Sequence, residues 1–202
     1  MDTDRANPMV EFETLFGSRL AQRAPTMRAV AAKLFESAKA ANIVESGCLR
    51  EPGNWVGDGQ STIVLGWINS KLGGTFVSVD NDALAVSVAT ATVPRATVTQ
   101  GDSIAFLYKH DQPIHLLYLD SDPAPGDFDR SAHHHLYELG AARHCLSSGA
   151  LVLVDDSWLV NVDKKEPDVI GKGTRINEFM RCIGATILAS GEPGGQVVWI
   201  LP

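Results

Sequence analysis

The stretch Ile114-His115-Leu116-Leu117-Tyr118-Leu119-Asp120-Ser121-Asp122, read with Leu151-Val152-Leu153-Val154-Asp155-Asp156, decides the fold. Each is an apolar run that ends abruptly in carboxylates. Such a run fits a strand buried on both faces, and those strands occur in parallel sheets covered by helices. Side by side, the two strands bring four acidic groups to the carboxyl edge of one sheet. Open α/β folds bind their ligands at that edge. A water-facing surface gains little from this crowding. A divalent cation explains it, because Mg²⁺ is held by one or two carboxylates with waters and substrate oxygens.

Outward from these strands the hydrophobic period alternates. Residues 8–40 read as helical, with Met27, Val30, Ala31, Leu34, Phe35 and Ala38 at helical spacing and Thr26 as the expected N-cap. Residues 42–46 read as a strand that stops at Gly47, and Ser61 opens a helix to about Leu72. Strands follow at 75–79 and 96–99, with a helix at 82–91 between them. A helix from Asp129 to Cys145 joins the two acidic strands; 157–171 reads as a polar loop and 174–183 as a helix. Residues 184–189 and 196–201, separated by a Gly/Pro-rich turn, read as an antiparallel pair. The expected fold is α/β: a doubly wound, mostly parallel seven-stranded sheet with a C-terminal antiparallel hairpin and helices on both faces. One domain is expected over 1–202, an N-terminal helical segment at 1–40 and a Rossmann-like core at 41–202.

Composition narrows the function. The net charge is −7, from 24 acidic and 17 basic residues without a Lys/Arg cluster, so nucleic acid is not an expected partner. No apolar run suits a membrane span, and the start of the chain does not read as a secretory signal. Cys48, Cys145 and Cys182 are odd in number and widely spaced, which fits three buried thiols in a reducing cytosol rather than a disulfide framework. The expected partner is a small hydroxylated molecule, with a homo-oligomer open.

Three features belong to a nucleoside-binding edge. Glu45-Ser46-Gly47-Cys48 ends the first strand, and glycine lets a ligand approach the backbone. Gly57-Asp58-Gly59-Gln60-Ser61-Thr62 leads into a helix N-terminus suited to an anion. Asp80 ends the second strand, where an acid can accept from ribose hydroxyls. No Gly-Lys-Ser/Thr follows the glycines, so this is not a P-loop, and the compact Gly-x-Gly-x-x-Gly of dinucleotide binders is missing. A ligand with a carboxylate and a nucleoside, such as S-adenosylmethionine, fits better.

Ile43-Val44-Glu45-Ser46-Gly47-Cys48-Leu49-Arg50, then Asn54-Trp55, then Gly57 to Thr62, resembles the first motif of a bacterial group of class I methyltransferases (the methyltransferase-24-like group). Ser46 stands where that group usually has Thr. The resemblance implies that Glu45, Gly47 and Ser61 surround the methionine part of the cofactor, that Asp80 holds the ribose, and that Asp102 and Ser103 lie near the adenine. Leu119-Asp120-Ser121-Asp122 with Val154-Asp155-Asp156 is similar to the metal-dependent sugar O-methyltransferases. By that likeness Asp120, Asp155 and Asp156 hold Mg²⁺ and Asp122 is the general base, with Asp120 also catalytic. The lysine base of catechol-type enzymes has no match, and Pro123 favours the sugar type. The larger sugar enzymes carry extra N-terminal segments, so an intact macrolide glycoside is not the expected acceptor.

The remaining motifs are weaker. His133-His134-His135 cannot chelate one ion from a helix, because consecutive residues point apart. They read as a solvated face with one partly buried ring. His115 reads as a satisfied core histidine. The segment 157–172, with Trp158, Lys164, Lys165 and Lys172, reads as the acceptor lid, and Gly171-Lys172-Gly173 recurs in the same group. A nucleoside-binding protein without catalysis and a nicotinamide-dependent oxidoreductase are the alternatives; the carboxylate cluster argues against the first, the missing fingerprint and terminal hairpin against the second.

Overall fold

The structure, a computed structural model, describes residues 7–37, 40–58, 60–122 and 127–202. Ala38, Gly59 and Pro123, used above, lie outside the described residues, as do residues 1–6. The strands are β1 (Ile43–Ser46), β2 (Phe76–Asp80), β3 (Thr97–Gln100), β4 (Ile114–Leu119), β5 (Leu146–Asp155), β6 (Ser157–Val160), β7 (Asp168–Gly171), β8 (Thr186–Ser190) and β9 (Gln196–Ile200). The helices are α1 (Pro8–Phe12), α2 (Ala24–Ser37), α3 (Ser61–Leu72), α4 (Ala83–Thr92), α5 (Ser103–Lys109), α6 (Phe128–Ala142) and α7 (Thr174–Cys182).

Seven strands form one sheet in the order β3-β2-β1-β4-β5-β9-β8. The first five are parallel, and β9 inserts antiparallel between β5 and β8, with Val152 opposite Trp199. Side chains alternate between faces, as the strand period requires. Ile43, Leu116, Tyr118, Leu151, Leu153 and Val198 face a core closed by α1, α2 and α3. Val44, Leu117, Leu119, Val152, Val154 and Trp199 face a second core closed by α5, α6 and α7. A smaller cluster of Cys48, Leu49, Ala85 and Ala89 seats α4. The continuous burial of β4 and β5 is therefore two-sided, as their unbroken apolar runs imply.

Four expectations need correction. The N-terminal segment is not one helix run: a π turn at Glu13–Gly17 and a 3-10 turn at Ala21–Arg23 precede α2. Thr26 sits inside α2 rather than capping it, and its hydroxyl donates to Gln196 Oε1 at 2.7 Å. The segment 157–171 is not an irregular loop, because β6 and β7 pair antiparallel with Ser157 opposite Gly171. Cys182 is exposed, while Cys48 and Cys145 are buried. The sequence reading also passed over α5, a seven-residue helix whose N-cap is Asp102.

Among the described residues no helix is long and apolar enough to cross a membrane.

Candidate active site

A cleft of about 760 Å³ opens along the carboxyl edge of the sheet. Gly47, Ser61, Asp80, Asp102, Ser103, Asp120, Asp122, Asp155 and Asp156 all line it. Among the described residues eight aspartates stand on its wall against three Lys/Arg side chains, Arg23, Arg50 and Lys172.

At the first end the chain turns sharply after β1. Gly47 has φ +81°, and a Cβ there would lie 2.5 Å from the Asp120 carbonyl oxygen. Only glycine lets β1 exit so close to the end of β4. Asp80 ties two turns together: Oδ2 accepts from Cys48 N at 2.9 Å and Oδ1 from Asp82 N at 2.9 Å. A carboxylate has about four acceptor sites, so lone pairs remain for a ligand. Asp102 Oδ1 accepts from Ala105 N at 2.7 Å, which caps α5.

Glu45 does not line the cleft; it lies fully buried beneath Ser61 and Thr62. Its Oε2 accepts from Thr62 Oγ1 at 2.8 Å and Ser78 Oγ at 2.5 Å, and Leu49 N donates to the same Thr62 hydroxyl at 2.9 Å. Oε1 has no partner among the described residues. Burial without a cation pushes the Glu45 carboxyl up to about 7, against the pull of these hydroxyls.

At the other end Asp120, Asp155 and Asp156 do converge, each offering an oxygen within 4.8 Å of the others. Two cations already stand on them. Lys172 Nζ lies 3.0 Å from Asp120 Oδ1 and 3.1 Å from Asp156 Oδ2. Arg23 forks onto Asp155, with Nε 2.9 Å from Oδ1 and Nη2 2.9 Å from Oδ2. Desolvation at the cleft floor and the Asp155 carboxylate push Asp120 well above the usual range. Burial acts the same way on Asp155, but Arg23 outweighs it and holds that carboxyl low. Burial alone would discharge Lys172, yet the Asp120 and Asp156 carboxylates raise it, so it stays an ammonium. The donor set is that of a hard cation, but its oxygens are engaged by protein charges, and a resident Mg²⁺ does not fit them as they stand.

Asp122 takes φ +49° and Asp156 φ +45°, left-handed positions that aspartate tolerates better than most residues. Asp122 Oδ1 pairs with Arg130 at 3.1 Å, while its buried Oδ2 meets no donor among the described residues. Phe128, on the cleft wall, meets Trp158 edge to face at 6.2 Å between ring centroids.

The histidine run is more buried than expected. His133 and His134 are half-buried, His134 on the cleft wall, and His135 is wholly buried. His134 Nε2 lies 3.5 Å from Glu138 Oε1, which also accepts from Ser121 Oγ at 2.6 Å. Burial raises the Glu138 carboxyl, but His134, His135 and the serine hydroxyls bring it down to about 2. His115 is half-buried, and Asn42 N donates to its Nδ1 at 3.1 Å.

Sequence reasoning missed Arg23 altogether. It lies 132 residues from Asp155, and nothing in its neighbourhood marks it as a partner. Lys172 carried a signal in its flanking glycines. Gly171 has φ +85°, and a Cβ there would fall 2.0 Å from the Asp156 carbonyl oxygen, so the lysine backbone can be drawn tight against the carboxylates.

No family model matches the chain. No curated protein matches its sequence. Solved structures do match. A protein from Clostridium thermocellum assigned as an rRNA methylase aligns over 85% of this chain and 94% of its own, with 13% identity and a TM-score of 0.55. One from Klebsiella pneumoniae assigned as an O-methyltransferase aligns over 86% and 78%, with 19% identity and a TM-score of 0.52. The complex of DhpI with S-adenosylhomocysteine aligns over 96% and 90%, with 12% identity and a TM-score of 0.51. At such identities the likeness is one of fold. With the strand order and the antiparallel insertion of β9, it shows that this chain has the seven-stranded Rossmann-like fold of class I methyltransferases.

Proposed function

We propose that the protein is an S-adenosylmethionine-dependent O-methyltransferase whose acceptor is a hydroxyl of a sugar or small natural product. The observation that carries this reading is one cleft lined by a glycine-tight turn after β1, an acid ending β2 and, after β4, the Asp122 carboxylate, whose Oδ2 has no partner among the described residues. The antiparallel β9 beside β5 argues against the nicotinamide-dependent alternative, whose doubly wound sheet is parallel throughout.

In this reading Asp80 accepts from the ribose hydroxyls and Asp102 Oδ2 from the adenine amino group, with Ser103 beside it. Gly47 leaves room for the methionine chain, whose carboxylate lies toward Ser61 at the N-terminus of α3. Glu45 acts from below, holding Thr62 and through it the turn at Leu49. The acceptor oxygen attacks the methyl carbon in line. The carbon–sulfur bond breaks, sulfur takes the electron pair, and the product is neutral S-adenosylhomocysteine. The hydroxyl proton passes to Asp122 Oδ2. Holding the two reactants in line supplies much of the acceleration, since the sulfonium methyl is already activated. An RNA acceptor, as for the Clostridium protein, is disfavoured by the net charge of −7 and the aspartate-lined cleft.

Mg²⁺ assistance, implied by the likeness to sugar enzymes, has the three converging carboxylates in its favour and Lys172 and Arg23 against it.

Calorimetric titration with S-adenosylhomocysteine tests the cofactor, and a labelled-methyl screen of hydroxylated acceptors tests the transfer. Asp122→Asn should keep cofactor affinity and lose roughly 10²–10⁴ in kcat. Binding without transfer to any acceptor favours the non-catalytic reading. Binding of NAD in place of the homocysteine compound overturns both.

A further inference from the structure

The carboxylate cluster sits where a divalent ion is expected, yet the chain fills that place itself. Mg²⁺ needs oxygens about 2.0–2.1 Å away in an octahedron with its own waters. Here Asp120 Oδ1 and Asp156 Oδ2 both point at one ammonium, 3.0 and 3.1 Å away. Both oxygens of Asp155 are taken by the Arg23 fork. A doubly charged ion among these oxygens would stand within a few ångströms of Lys172, in a buried place where like charges repel strongly.

The lysine is clamped rather than draped over the cluster. Its side chain is 3% exposed. Its backbone N–H donates to the Asp156 carbonyl at 3.0 Å. On one side Gly171 packs its α-carbon against that same carbonyl, with no room for a Cβ. On the other, Gly173 N donates to Ser157 Oγ at 2.7 Å. The β6–β7 hairpin thus fixes where the ammonium stands. An ammonium has three N–H donors; one is given to Asp120 Oδ1 and a second faces the Asp156 carboxylate at 3.1 Å. Lys172 also lines the cleft, so the third can reach an oxygen bound there.

We propose that the Lys172 ammonium is the resident cation of this cluster, that the cluster takes no divalent ion, and that Lys172 orients the acceptor oxygen in a metal's stead. The last clause rests on the methyl-transfer reading; the first two do not.

The test is a titration of the purified protein with Mn²⁺, read by electron paramagnetic resonance, with and without S-adenosylhomocysteine. The wild type should show no saturable site in either condition. Lys172→Met should gain one, and adding Asp156→Asn should remove it again. Lys172→Arg, which keeps the charge, should stay without one. Saturable Mn²⁺ binding by the wild type that Asp155→Asn abolishes would overturn the proposal, and this arm needs no lysine variant to fold. A folded Lys172→Met that gains no site would overturn the claim that the lysine excludes the ion. Methyl transfer, where an acceptor is found, should survive chelation by EDTA and fall in Lys172→Met more than in Lys172→Arg. Failure to bind S-adenosylhomocysteine would remove the methyl-transfer reading alone, since the Mn²⁺ result stands without it.

Discussion

Two arginine–aspartate pairs stand at opposite ends of the cleft and are built in opposite ways. At the cofactor end Arg50 Nε meets Asp58 Oδ1 at 2.9 Å, with the arginine side chain 58% exposed. Asp58 keeps three further donors from its own loop: Arg50 N at 3.0 Å, Glu51 N at 3.3 Å and Gln60 Nε2 at 3.2 Å. At the acceptor end Arg23 and Asp155 are 9% and 2% exposed, and the arginine comes from a turn before α2. One pair ornaments a turn that already satisfies its carboxylate. The other is the means by which a buried charge exists at all. Local chemistry builds the first end, and chain-distant charge builds the second.

The largest expected effect breaks the second pair. Arg23→Ala should destabilise the fold by about 3–5 kcal/mol, because it leaves a buried carboxylate unpaired. Urea unfolding measures this directly. A loss no larger than that of Arg28→Ala, whose partner Glu13 is well exposed, would show that Asp155 simply takes a proton and needs no partner.

Next comes a contrast in sign with pH. Glu45 is buried like Asp155 but is held by hydroxyls instead of a cation, and its carboxyl rises from 4.5 to about 7. A raised acid binds its proton more tightly in the folded state. Its contribution is therefore full below about pH 4.5 and is lost as pH rises through about 7, a change of about 3 kcal/mol. Asp155 runs the other way: its depressed carboxyl contributes above its unfolded value and loses that contribution as acid protonates it in the fold. Glu45→Gln should abolish the decline between about pH 4.5 and 7 in thermal melts. A decline that persists in Glu45→Gln would place its source elsewhere.

Gly47→Ala is a smaller, steric probe of the cofactor end. The position is left-handed, and a Cβ would meet Asp120 and Ser121 backbone atoms at 2.5–3.0 Å. A cost of about 1–3 kcal/mol is expected, with weaker binding of S-adenosylhomocysteine and no change in the response to Mn²⁺. An alanine that binds the cofactor as well as glycine would mean that β1 and β4 separate easily at this edge.

The same division explains what could be read in the sequence. The β4 and β5 runs, the turn at Gly47, the acid at Asp80 and the terminal hairpin all follow from period and turn chemistry within a few residues, and the strand order agrees with them. Asp102 reads only as a residue near the adenine; its role as the N-cap of α5 does not show, because seven residues carry little periodicity. The convergence of Asp120, Asp155 and Asp156 was legible for the same reason: each ends a strand. Their counter-charges were not. Arg23 reaches Asp155 only because the π and 3-10 turns break the N-terminal helices and bring a turn over the sheet edge. Lys172 reaches Asp120 only because residues read as a loop pair into a hairpin. Side-chain pairing across the fold has no period to betray it.

The smallest effect is the sharpest test of the contrast. Arg50→Ala removes one of four donors to Asp58 and leaves the backbone pair from Arg50 and Glu51 in place. An exposed arginine gives up little when it leaves such a carboxylate, so the stability loss should be under about 1 kcal/mol. The turn from Arg50 to Gln60 should keep its shape, because Gln60 still donates to the Glu51 carbonyl at 2.9 Å and accepts from Gly53 N at 2.8 Å. Urea unfolding of the Arg50 and Arg23 variants side by side should therefore separate them by several-fold in free energy. Similar losses would mean that Asp58 depends on its cation as Asp155 does. The cofactor turn would then be held by charge rather than by its own backbone, and the two ends of the cleft would differ only in exposure.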